Sequence, residues 1–274
     1  SDFDPLDLAG VGLELWLDAS KITGMDDGDT FASGAGNCEW TDQSGNSVGQ
    51  TSPGAHGLGA KYKTNIINGL PAILFAQPAD PITTGSCVSS TLSGNTFKEA
   101  DYTVFVVMQP VDVDHATESG QHIFGVYSDT DWTSASTNNK NRITMGILDS
   151  DAKFVVQGYS TTADRTSSTS ALVNGTPYIL TAAYDYSATT MWNIVDGTVQ
   201  EKDTSFTTPT AGVGAGSLFM GSLGGGRGST AVEYDGHIAE VLVFSSLLSE
   251  KNLNQVKHYL ADKYNIAVPP KTRY

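Results

Sequence analysis

Apolar and polar residues alternate along most of the chain in short runs separated by Gly, Asn, Asp and Ser, the two-residue period of strands that bury one face. Leu13, Leu15 and Leu17 predict one face of a first strand, with Glu14 and Trp16 on the other. Residues 71–75 follow an Asn68-Gly69 turn, and residues 102–108 (YTVFVVM) form an unbroken apolar run. Such a run predicts a central strand covered on both faces. Segments 122–126, 143–147 and 154–158 read as shorter strands. Segments 178–186 and 190–195 make the next pair, and Asp196-Gly197 turns the chain into 198–202 as a type I′ hairpin. Segments 217–221 and 237–244 (HIAEVLVF) close the β region.

The period then changes. Ser249 can cap a helix on which Leu253, Val256, Leu260 and Tyr264 share one face, with Lys251, Gln255, His258 and Asp262 facing away. Asn265 suits the left-handed cap and Pro269-Pro270 prevents continuation. The prediction is an all-β antiparallel sandwich with one C-terminal amphipathic helix. Residues 1–12 read as an N-terminal arm, 13–266 as the sandwich including the helix at 249–264, and 267–274 as a tail.

Composition agrees with many strands and turns, since only 16% of residues are charged while Gly numbers 29. A formal charge of −15 would repel a phosphate backbone, which excludes nucleic acid as an expected partner. No apolar run approaches the roughly 18 residues of a spanning helix, so membrane insertion is not expected. The N-terminus has neither the basic start nor the apolar stretch of a signal peptide. Either a signal was removed ahead of Ser1, or the chain leaves the cytoplasm by another route such as lysis. Cys38 and Cys87 can form one disulfide or remain two free thiols.

Family likeness lies in LELWLDAS (13–20), DDGDTF (26–31), WTDQSGN (40–46) and NGLPAILF (68–75), and in the closing stretch GHIAEVLVFSSLLSEKNLNQVKHYLADKYNI (236–266). These segments resemble the opening and the final strand and helix of laminin-G-like domains of the concanavalin A-like lectin/glucanase superfamily, as found in bacterial and phage proteins. The resemblance implies a jelly-roll sandwich but little about function, because one fold hosts many sites. The expected role is a non-catalytic, lectin-like, surface-displayed protein on a virion or outside the cell, such as a phage capsid decoration, head fibre or tail-associated protein. Its expected partners are glycans, a capsid protein or further copies of itself. The alternative is a secreted carbohydrate-binding module or a glycan-degrading enzyme.

Candidate chemistry is sparse. The Glu-x-Asp-x-x-Glu strand of laminarinase-type glucanases is absent, and two close carboxylates are what glycoside hydrolysis requires. The five histidines fall in separate segments with no metal spacing. Asp26, Asp27 and Asp29 share one loop, with Asp42 expected nearby, and are the candidate Ca²⁺ ligands, since calcium takes six to eight oxygens. Tyr127, Trp132, Tyr159 and Tyr234 lie in or beside expected loops as candidate sugar-stacking rings, with Arg227 in GGGRG as a contact residue. Trp16, Asp18, Trp40, Asp42 and Ser44 read as scaffold, the aspartates bonding their own turns.

Overall fold

The computed structural model describes residues 3–30, 40–51, 60–75, 87–90, 92, 94–97, 99–114, 121–127, 141–148, 151–158, 164–206, 217–221 and 234–270. Its strands are β1 (Leu13–Asp18), β2 (Gln50–Thr51), β3 (Lys61–Ile67), β4 (Leu70–Phe75), β5 (Cys87–Ser90), β6 (Tyr102–Pro110), β7 (Gln121–Tyr127) and β8 (Asn141–Leu148). They continue as β9 (Lys153–Gly158), β10 (Asp164–Ala171), β11 (Tyr178–Asp185), β12 (Thr190–Val195), β13 (Thr198–Asp203), β14 (Ser217–Gly221) and β15 (Gly236–Phe244), and helix α1 is Glu250–Tyr264.

Two antiparallel sheets face one another. The first runs β13-β12-β11-β6-β15-β4-β3, with β1 also on β15, and the second runs β10-β9-β8-β7-β14-β5-β2. One edge of β15 is shared: β4 pairs with Gly236 to Ile238, and β1 with Glu240 to Phe244. Between the sheets lies the main core, where Leu15, Leu17, Phe75, Val104, Val106 and Met108 meet Ile123, Phe124, Met145, Ile147 and Phe154. Leu13 departs from the expected face. A register shift between Leu13 and Leu15 turns it outward to join Trp16.

The outer face of the first sheet carries a second apolar cluster of Phe105, Val107, Ile179, Leu242 and Phe244, covered by Val256, Leu260, Ala261 and Tyr264 of α1. This is why both faces of β6 and β15 are largely apolar. Val256 and Leu260 each stabilise the docking by about 1.5–3 kcal/mol. Ser249 caps the helix through Asn252 N–H at 3.3 Å, and Asn265 ends it in the left-handed conformation at φ 53°. His258, expected to face solvent, is buried, as is Lys257, whose Nζ donates to the Pro269 carbonyl. Lys257 is drawn in because its stem lies over the turn at Gly197, where a Cβ would meet it at 2.3 Å. Within the N-terminal arm, residues 5–11 form a 3₁₀ turn capped by Asp4 that buries Leu8, and the Phe3 ring meets Tyr259 edge-on at 6.0 Å.

Charge is buried under this helix. Glu240, fully buried in the middle of β15, accepts from Trp16 Nε1 at 2.7 Å, Tyr259 OH at 3.0 Å, Lys263 Nζ at 2.7 Å and Tyr264 OH at 2.8 Å. Lys263 also reaches Asp18 Oδ2 at 2.6 Å, and Asp18 Oδ1 takes the Ser20 N–H at 2.9 Å and its hydroxyl at 2.6 Å. Burial raises the Glu240 carboxyl above its ordinary range, against the pull of the Lys263 ammonium. Removing one member of a buried ion pair strands the others and costs about 3–5 kcal/mol. Glu240→Ala is therefore expected to lower unfolding free energy by about that amount in urea titrations, whereas a loss under about 1 kcal/mol would mean that the network is not holding the helix.

Candidate functional site

The outer face of the first sheet is occupied by α1, and among the described residues no helix lies on the outer face of the second. That face follows from alternation: Phe154, Val156, Met145 and Ile147 point into the core, so their neighbours point outward. One outward row crosses the whole second sheet in register. Arg165 stands opposite Gln157, Gln157 opposite Thr144, and Thr144 opposite Gly125. The backbone register continues from Gly125 through Phe219 and Ser89 to Thr51. A second row places Ser167 opposite Val155, Val155 opposite Gly146, and Gly146 opposite His122.

Two glycines leave the middle of this face without side chains. At Gly146 the reason is close approach, since a Cβ there would lie 2.4 Å from the Gln121 carbonyl. The irregularity between His122 and Phe124 produces that approach. Thr144 is 5% exposed, and its hydroxyl has no hydrogen-bond partner among the described residues. A buried polar atom left unpaired costs roughly 1–3 kcal/mol, so a ligand hydroxyl there would relieve a penalty already present. Half-buried Gln157 and exposed Arg165 add amide and guanidinium donors, while Val155 in the second row is itself buried. These two rows contain no carboxylate. Among the described residues, these rows can donate and accept hydrogen bonds, and they hold no acid pair.

The sequence candidates are distributed differently. Tyr127 ends β7, its backbone opposite Ser217 and Asn141. Trp132, Tyr159 and Arg227 lie outside the described residues. Tyr234 is a correction: it is 1% exposed, packs beside Phe75 at 6.5 Å, and donates its hydroxyl to the His237 carbonyl. It falls just before β15, where the chain folds back over Gly236 into the core, so it presents no open ring face.

Nor do the acidic residues assemble as cation ligands. The Asp26–Asp29 loop seals the free edge of β3: Gly28 N–H donates to the Tyr62 carbonyl, Tyr62 N–H to the Asp29 carbonyl, and Asp27 Oδ1 accepts the Thr64 N–H. Asp27 pairs with Lys63 at 2.7 Å, which together with the Thr64 N–H holds its carboxyl below the usual range. Asp29 accepts from the Asp26 N–H at 2.8 Å. Asp42 is saturated by Trp16 N–H, Ser44 N–H, the Ser44 hydroxyl and Val48 N–H. Among the described residues no three His, Cys, Asp or Glu side chains converge as a metal site. The loop's acidity serves an edge that would otherwise invite strand pairing.

Sequence reasoning passed over Thr144, Gln157 and the two glycines. They read as ordinary strand and turn residues, and only the register aligns them. It also passed over Trp192, a half-buried ring on the outer face of the first sheet with Lys202 Nζ 5.4 Å from its centroid.

With the geometry established, the class is an antiparallel β-sandwich of the jelly-roll kind. No family model matches the chain, and no curated protein matches it. Among solved structures it is similar to domain 4 of AbnA, an extracellular arabinanase from Geobacillus stearothermophilus solved with arabinotriose, at 14% identity and TM-score 0.55 over 85% of this chain and 98% of that one. It is also similar to botulinum neurotoxin type C, whose cell entry depends on two ganglioside molecules, at 13% identity and TM-score 0.55 over 94% of this chain. The binding domain of botulinum neurotoxin DC, solved with rat synaptotagmin II, matches at 12% identity and TM-score 0.59 over 92% of this chain. The match spans 53% and 52% of those two toxin chains. At such identities the likeness establishes the fold. No described helix is long and apolar enough to cross a membrane.

Two histidines, half-buried His122 and buried His237, give the fold a pH signature. Burial pushes His122 down to about 4, and burial with the nearby Lys63 charge does the same to His237, against 6.5 for the free side chain. Between those values the unfolded chain binds protons that the folded chain refuses, so stability rises with pH there. Urea titrations are expected to show stability that is full above about pH 6.5 and falls as pH drops towards about 4. The slope should be shallower in a His122→Gln, His237→Gln variant; equal slopes would contradict the assignment.

Proposed function

We propose that the chain is a non-catalytic, lectin-like module that binds glycans on the outer face of its second sheet. The observation that carries this reading is the register row Arg165, Gln157, Thr144 and Gly125, with its buried, unpartnered Thr144 hydroxyl. Sugars present hydroxyls that both donate and accept, and this row supplies both kinds of partner. The fold neighbours support the reading, because the arabinanase domain was solved with arabinotriose and the type C toxin depends on gangliosides.

The module belongs on a surface as a phage virion component: a capsid decoration, head fibre or tail-associated protein. Support comes from the bracketing motifs at 13–75 and 236–266, which resemble phage and bacterial laminin-G-like domains, and from an acidic surface of −15 that favours neutral glycans over polyanions. Immunogold labelling of particles with antibody against the chain should decorate virions, and label confined to particle-free medium would contradict that placement.

Calorimetric titration against a panel of arabino-oligosaccharides and ganglioside oligosaccharides, with reducing-sugar detection, tests the binding role. Binding without turnover is expected. Gln157→Ala should weaken it by roughly tenfold, the value of one to two hydrogen bonds, while Trp192→Ala on the opposite sheet leaves it unchanged. Release of reducing sugar would overturn the non-catalytic reading, and loss of binding in Trp192→Ala alone would move the site.

A further inference from the structure

We propose that Lys263 and Asp18 form an intramolecular isopeptide bond: the Lys263 Nζ condenses with the Asp18 side-chain carboxyl, water leaves, and β1 becomes covalently tied to the last turn of α1.

Proximity and exclusion of water are the first requirements. Nζ lies 2.6 Å from Asp18 Oδ2; the Asp18 side chain is 0% exposed and that of Lys263 17%. A nucleophile held against an electrophile in this way reacts as if at very high concentration. Trp16, Tyr259 and Tyr264 wall the group, and the Phe3 ring closes on Tyr259 from the N-terminal side. Bulk water, which would reverse the condensation, is kept from the bond.

Asp18, rather than Glu240, is built to be the electrophile. Its Oδ1 faces the Ser20 N–H at 2.9 Å and the Ser20 hydroxyl at 2.6 Å, two donors aimed at the oxygen that would carry charge in a tetrahedral intermediate. Its Oδ2, the leaving oxygen, already faces Nζ. Glu240 touches the same Nζ at 2.7 Å and is the proton carrier. The Lys263 ammonium passes one proton to Glu240, and the freed amine attacks Asp18 Cγ, forming the C–N bond. Nitrogen then gives a second proton to Oδ2, Glu240 returns the first to the same oxygen, the C–Oδ2 bond breaks, and water departs. The products are a neutral amide, retaining one N–H, and the Glu240 carboxylate. The raised proton affinity that burial gives Glu240 suits it to hold a proton for part of the cycle.

The link would join positions 245 residues apart, closing nearly the whole chain into a ring. Such closure removes freedom from the unfolded state and stabilises the fold without altering its surface. It stands apart from glycan binding, which involves the other sheet.

Intact-mass measurement of the full chain tests this without any substitution. The mass is expected to fall one water short of the sequence, with a protease fragment joining the peptides that hold residues 18 and 263. A full sequence mass after prolonged incubation of the folded protein would overturn the proposal, as would water loss mapped to a succinimide elsewhere. Three variants identify the roles. Lys263→Arg should keep the full mass. Asp18→Asn should lose ammonia in place of water. Glu240→Gln, shown folded by circular dichroism, should stay unlinked. A Glu240→Gln chain that cross-links at the native rate would remove Glu240 from the reaction.

Discussion

A glutamate in the middle of an apolar strand is the constraint around which the rest of the first sheet is arranged. Glu240 occupies β15, the strand that pairs with β6, β4 and β1, and its carboxylate is fully buried. An isolated carboxylate there would be prohibitively expensive. It is satisfied only because Trp16 arrives from the N-terminal strand and Tyr259, Lys263 and Tyr264 arrive from the C-terminal helix. The two chain ends are thereby drawn to one point. Docking of α1, placement of β1 and folding of the N-terminal turn over Tyr259 are consequences of meeting one buried charge.

This arrangement makes the sandwich asymmetric. The first sheet has its outer face covered by α1 and spends its polar groups on its own cohesion. The second sheet carries Thr144, Gln157, Arg165 and His122 outward over a glycine floor. The edges are managed as well: the Asp26–Asp29 loop closes β3, while Gln200 and Glu201 of β13 accept the free Thr169 and Ser167 N–H groups of β10.

Much of the fold was legible in the chain. The apolar run of β6, the Asp196-Gly197 turn with φ values of 48° and 75°, and the helix from its Ser249 cap to Asn265 follow from local chemistry. The edge strands β3 and β10 were not legible, because LysTyrLysThrAsn and ArgThrSerSerThr lack an apolar face and are strands only through their partners. The site was less legible still. Cross-strand register is a long-range property, so nothing near Thr144 announces that Gln157 and Gly125 will flank it. The acidic residues' partners were hidden for a related reason: Asp27 holds the Thr64 N–H and Lys63, and Asp42 holds the Trp16 N–H, groups that lie 26 to 37 residues away along the chain. Glu240, the one acid in the HIAEVLVF run, is its anchor, held by partners from both ends of the fold.

Native-state hydrogen exchange measures most directly whether that anchor unites helix and sheet. If Glu240 binds them into one cooperative body, the amides from Val256 to Lys263 will exchange only with global unfolding, at the same free energy and denaturant slope as those of β6 and β15. Exchange of the helix amides through a smaller, separate opening, with β6 and β15 still protected, would contradict the account.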